Sequence, residues 1–110
     1  MPKYLITGSY SSAGLQGLLK EGGVSRKEAV NQLIQSLGGT MEAFYYVLGS
    51  DDTLVIADLP DNTTAAAISL AANGSGAVKL NTTVLLTPEE VDEATKRTIY
   101  YRAPGQTELP

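Results

Sequence analysis

The chain has 110 residues, 43% of them hydrophobic, and carries 12 acidic against 8 basic side chains for a formal charge of −4. That length supports one domain with one core, and the apolar content is that of a folded chain rather than a disordered one. The basic residues (Lys3, Lys20, Arg26, Lys27, Lys79, Lys96, Arg97 and Arg102) are scattered rather than clustered. Binding to phosphates depends on clustered cations, so neither nucleic acid nor an anionic membrane is an expected partner. Cysteine and histidine are both absent, which removes disulfides, thiol and imidazole nucleophiles, and zinc sites built on either residue. No cofactor is expected. The apolar stretch after Met1 is too short for a leader or a membrane span, so a cytoplasmic protein is expected.

Residues 3–10 alternate and are rich in strand formers, giving a first strand. Ser11 to Gly23 holds four glycines, yet Leu15, Leu18 and Leu19 keep a helical spacing compatible with a short irregular helix. A firmer helix is expected to start at Ser25, where Ser25 and Glu28 have the spacing of a capping box. Ala29, Val30, Leu33, Ile34 and Leu37 then share one helical face, and Gly38-Gly39 can end it. Thr40–Leu48 reads as a strand whose alternation sets Met41, Ala43, Tyr45 and Val47 against Glu42, Phe44, Tyr46 and Leu48. A turn at Gly49–Asp52 leads into a strand over Thr53–Asp58. Asp61 or Asn62 then caps an alanine-rich helix reaching about Asn73, and residues 77–86 form the fourth strand. Thr87-Pro88-Glu89-Glu90 is a capping box with proline at the first helical position, and Lys96 and Arg97 suit that helix's C-terminus. Residues 1–97 thus read as the domain. The segment 98–110, with Ile99-Tyr100-Tyr101, is too apolar for a free tail and is expected to pack on the domain or on a partner subunit.

This order of strands and helices predicts an α+β, ferredoxin-like βαββαβ fold: a four-stranded antiparallel sheet with helices on one face, an extra C-terminal helix, and the last strand beside the first. The chain also resembles the GYD-domain family. The resemblance rests on Leu37-Gly38-Gly39, Phe44-Tyr45-Tyr46, the Gly49–Asp52 turn, Asp58-Leu59-Pro60-Asp61, the alanine-rich helix and Leu85-Leu86-Thr87-Pro88-Glu89-Glu90. Of the family's Gly-x-Tyr-Asp turn, Gly49 and Asp52 match, whereas Asp51 stands where tyrosine would be. No role of that ring therefore carries over. The resemblance implies a ferredoxin-like fold that assembles into oligomers, and it brings no activity with it.

The hairpin strands carry apolar or aromatic residues on both sides, so the sheet face away from the helices needs cover. A second copy of the chain is the simplest cover, and a homo-oligomer is expected. Lys3, Thr7 and Ser9 share one side of the first strand, and Lys79, Asn81 and Thr83 one side of the fourth. If those sides coincide near Tyr45 or Tyr46, a polar stripe in an apolar setting forms a candidate ligand site of Lys3, Thr7, Tyr45, Asp58, Lys79 and Asn81. Against it stands the plainer reading of a solvated strip. Asp51, Asp52, Asp58 and Asp61 lack metal-loop spacing; Asp52 is expected to close the hairpin turn and Asp61 to cap a helix. The glycine-rich stretches Ser11–Gly23 and Asn73–Gly76, with Arg26 at a helix start, invite a phosphate reading, but they lack phosphate-loop patterns and loop and helix-cap duty explains them better.

Three functions stay open: a homo-oligomeric module binding a small, partly apolar molecule; a cofactor-independent enzyme using Asp58, Lys3 or a tyrosine as proton carrier; and an assembly subunit whose sheet face serves only for contact.

Overall fold

A computed structural model of the chain describes residues 1–107. The elements run β1 (Lys3–Tyr10), α1 (Ser12–Glu21), α2 (Gly23–Ser36), β2 (Thr40–Tyr46), β3 (Thr53–Asp58), α3 (Asn62–Gly74), β4 (Val78–Leu85) and α4 (Pro88–Thr95). The four strands pair antiparallel in the order β2-β3-β1-β4, which is the ferredoxin-like arrangement, with β4 beside β1. Strict alternation in β1 and β3 buries Tyr4, Ile6, Val55 and Ala57 on one face. Ile34 of α2 and Ala65 of α3 pack onto that face together with Leu59, forming the core. No helix among the described residues is long and apolar enough to cross a membrane.

Two helix starts follow their capping residues. Thr87 and Glu90 exchange reciprocal bonds at the head of α4. Asp61 accepts from the Thr64 backbone N–H at 2.8 Å and its hydroxyl at 2.7 Å, and these bonds hold the carboxyl below its ordinary range. The capping box expected at Ser25 does not form. The glycine-rich stretch is a full helix, α1, capped by Ser11, and it runs into α2 through Gly22 alone. At φ 88°, Gly22 occupies a conformation that side chains resist, and it turns the chain in one residue. Ser25 consequently lies inside the first turn of α2, where its hydroxyl donates to Glu21 at 3.3 Å.

The alternation expected in β2 is broken by a register shift between Met41 and Ala43. A bulge inserts one residue and reverses the phase of the pleat. Met41 and Phe44 both pack against the core, while Ala43 and Tyr45 face the other way, opposite Ile56 and Leu54. Beyond β2, Val47 and Asp52 close the hairpin: the Val47 N–H donates to the Asp52 carbonyl at 2.8 Å. The Asp52 N–H reaches the Gly8 carbonyl and its carboxylate accepts from the Tyr10 N–H, each at 2.8 Å. Asp52 therefore closes the turn and ties its base to the end of β1.

Every residue of α4 is exposed, and so are residues 96–107 apart from Ala103. The radius of gyration, 18.1 Å, exceeds the roughly 13 Å of a compact chain this long, and the long axis reaches 61 Å. Residues 88–107 are thus an arm standing off the body. Ile99, Tyr100 and Tyr101 on it are 75%, 73% and 63% exposed in the single chain. Of the tail expected to pack, residues 108–110 lie outside the described residues.

Two glycines of α1 make opposite demands. A Cβ on Gly14 would stand 1.9 Å from the Ala77 carbonyl oxygen, which already accepts from the Ser11 N–H at 2.9 Å. A Cβ on Gly17 would meet nothing within 4 Å. Gly14→Ala is expected to destabilise the fold by about 1–3 kcal/mol through overpacking. Gly17→Ala should stabilise it by about 0.5–1 kcal/mol through helix propensity. Urea denaturation of the two variants beside the parent chain checks both signs.

Candidate functional site

α2 rests along β2 and α3 along β4, the two edges of the sheet. The helix-side face of the central strands β1 and β3 is consequently floor to a cleft. Its inner part is a cavity of about 100 Å³ over Ile6 and Val55, walled by Val30 and Leu33 of α2 and by Ile68 and Ala72 of α3. It adjoins a groove of about 650 Å³ that continues outward between α1 and α3. The two share Leu33, Ile68, Ala72 and Val78 on their walls. The combined space is of the size and polarity of small-molecule sites.

Sequence accounts for the space. Leu33 and Leu37 belong to the apolar stripe of α2 that buries Ile34, yet they are 46% and 38% exposed. The stripe is wider than the contact with the sheet, and its surplus lines the groove. On the opposite wall α3 presents Ala67, Ala71 and Ala72, and α1 presents Ala13, Gly14 and Gly17, residues too small to fill the gap.

One end of the cleft is polar. Tyr10, at the end of β1, and Arg26, in the first turns of α2, line both the cavity and the groove. The Arg26 guanidinium lies beside the Tyr10 hydroxyl, and Tyr46 of β2 stands next to Tyr10. The Tyr46 hydroxyl donates to the Gly23 carbonyl at 3.0 Å, and its ring fills the space where a Cβ on Gly23 would lie. Burial pushes the pKa of both phenols up, outweighing the Arg26 charge that favours ionised Tyr10. Both hydroxyls are therefore protonated at neutral pH. Asp52, through its bond to the Tyr10 N–H, fixes the backbone from which Tyr10 reaches the cleft.

The six residues expected to bind a ligand all sit on the opposite, open face of the sheet. Thr7 lies directly across from Asn81, and two pairs further on Ser9 lies across from Lys79. Tyr45 pairs with Leu54, which pairs with Thr7, so the expected polar stripe does run beside Tyr45. At the other end of the face Lys3 bonds to Asp58 at 3.2 Å and to Glu42, which the bulge turns toward it. Those two carboxylates, Glu42 before Asp58, raise the Lys3 pKa. Leu5, Ile56, Leu54 and Ala43 form an apolar centre between these ends, half-buried, with no layer of the described residues above. The acidic residues considered for a cation are engaged separately: Asp51 with Ser9, Asp52 with Tyr10, Asp58 with Lys3 and Asp61 with Thr64.

Sequence reasoning placed none of Tyr10, Arg26 and Tyr46 in the candidate ligand set. Arg26 stood out only as a cation at a helix start, in a phosphate reading set aside for loop and cap duty, Tyr46 only as an alternative to Tyr45 beside the open-face stripe, and Tyr10 as an ordinary strand aromatic. The available signal was the excess of glycine and alanine on α1 and α3, small residues that serve close packing where they touch a neighbour and leave a gap where they do not. Gly14 does serve that purpose, whereas Gly17 and Ala72 border open space.

None of the curated proteins and none of the solved structures matches the chain. The family model for the GYD domain matches residues 4–95, a span that takes in the sheet apart from Lys3, the helices lining the cleft and the Gly49–Asp52 turn. The chain belongs to the GYD-domain family.

Proposed function

We propose that this protein is a small-molecule-binding module that works as a homo-oligomer. The observation that carries the binding reading is the cleft between α2 and α3: apolar walls, about 650 Å³ in its outer part, and a few polar groups at one end. A purely structural subunit has no use for a gap of ligand size beside its core, since an empty apolar space forfeits packing. Binding is also favoured over proton transfer by the titrating groups themselves. A base working at neutral pH needs a phenol or amine whose pKa is lowered, and those of Tyr10, Tyr46 and Lys3 are all raised.

Self-association is supported by two uncovered apolar surfaces. One is the open sheet face around Leu54, Ile56 and Tyr45; the other is the arm with Ile99, Tyr100 and Tyr101. A second copy covers both in one assembly, its arm lying against the first copy's body. The stripe of Lys3, Thr7, Tyr45, Asp58, Lys79 and Asn81 then lies at that interface. Any ligand these residues hold is enclosed only in the assembled protein.

The neutral dye Nile red tests the cleft. The parent chain should bind it saturably, one dye per chain, and Ala72→Phe should weaken binding at least about tenfold without lowering the melting temperature. Absence of saturable binding, or equal binding by Ala72→Phe, contradicts the cleft reading. Native mass spectrometry tests the assembly. The parent should be oligomeric and Leu54→Glu, whose new charge faces water in a lone chain, should be a folded monomer. A monomeric parent contradicts it.

A further inference from the structure

Besides Thr53 and Ser75, the polar residues lining the cleft are Tyr10, Arg26 and Glu21, with Tyr46 beside Tyr10, and that end has a definite electrostatic demand. Arg26 is the one cation lining either part of the cleft among the described residues. The ion pairs of the described residues involve Lys3 and Arg97, and among those residues no carboxylate lies within pairing distance of Arg26. Of the acids whose charge reaches Tyr10, Asp52 accepts from the Tyr10 N–H at 2.8 Å, and Glu21, which also lines the groove, accepts from the Ser25 hydroxyl at 3.3 Å. A half-buried arginine against apolar walls, without an ion pair among the described residues, is most favourably matched by an anion from outside.

The surroundings limit what that anion is. One guanidinium presents a planar fork that matches a carboxylate through two parallel bonds. The neighbouring phenols are protonated, and their hydroxyls add neutral donors. A phosphate dianion asks for more positive charge than one arginine supplies, and Asp52 and Glu21 stand close enough to oppose the second negative charge. The protein's formal charge of −4 likewise disfavours anions with no apolar portion to hold them. The walls supply the remainder: Leu33, Ile68, Ala72 and Val78 offer an apolar bed leading away from Arg26.

We infer that the cleft is a site for an apolar monocarboxylate, with its carboxylate on Arg26 and Tyr10 and its hydrocarbon portion along the α2–α3 groove. This rests on the cleft being a binding site, and it adds the chemical class of the ligand. Tyr46 is a positioning residue here: its hydroxyl holds the Gly23 carbonyl, and its ring braces the start of α2 from which Arg26 extends.

The probes are octanoate and 1-octanol, equal in chain length and differing in the charged head, measured by isothermal titration calorimetry against the intact protein. Octanoate should bind at least about tenfold more tightly than 1-octanol. Arg26→Gln should reduce octanoate affinity by about 10- to 100-fold, the range expected for a charge-assisted pair, and leave 1-octanol affinity unchanged. Arg26→Lys should restore part of the octanoate preference. Melting curves of both variants confirm that they fold. Saturable Nile red binding with no preference for octanoate, or with octanoate affinity unaffected in Arg26→Gln, overturns the carboxylate assignment and leaves the cleft reading intact. Failure of octanoate, 1-octanol and Nile red alike overturns both.

Discussion

The placement of α2 and α3 over the two edges of one sheet is the constraint from which the rest of this structure follows. A four-stranded sheet has a centre about two strands wide, and two helices set over its edges leave that centre to be covered by side chains alone. Ile34 and Ala65 reach inward far enough to seal one end with Tyr4, Ala57 and Leu59. Toward the Tyr10 end nothing comparable does so. There the residues are Ala72, Val30 and Leu33, and the space between them remains open. The apolar area left uncovered is a cost to the isolated fold, and a bound apolar molecule recovers it.

The two sides of the sheet answer different needs. On the helix side the uncovered apolar surface is concave and holds a cation at one end, a shape that suits a small molecule. On the open side the apolar centre around Leu5, Leu54 and Ile56 is flanked by the Lys3–Asp58–Glu42 cluster and by the Thr7–Asn81 stripe. That broad surface with a polar rim has the composition of a protein–protein contact. The arm adds to it, since its tyrosines have nowhere to pack on their own body. Asp52 links the sides: it closes the hairpin whose Tyr45 and Leu54 face outward and fixes the backbone of Tyr10, which faces the cleft.

Much of the fold was legible in the sequence. The alternation of β1 and β3, the cap at Asp61 and the capping box at Thr87 are local signals, and each appears where the residues place it. The departures come from features that local patterns do not carry. A single inserted residue at the β2 bulge moves Met41 to the face opposite Ala43, and period-two reading has no means of registering it. The direct passage from α1 to α2 depends on the φ of Gly22, which is hidden in a sequence where glycines are frequent. The cleft was illegible for a different reason. Helical periodicity tells which face of α2 is apolar but not how far α2 stands from α3, and that lateral distance makes Leu33 a wall residue while its neighbour Ile34 is core. Tyr10, Arg26 and Tyr46 meet only through tertiary structure.

The proposed ligand site lies on the helix side of the sheet rather than on the open face, and the two can be separated in one titration. In ¹H–¹⁵N and methyl NMR spectra recorded with increasing octanoate, shifts should concentrate on Tyr10, Arg26, Leu33, Ile68 and Ala72, with Thr7, Leu54, Lys79 and Asn81 unmoved. Shifts confined to Thr7, Tyr45, Lys79 and Asn81 would contradict the account and place the site on the open face instead.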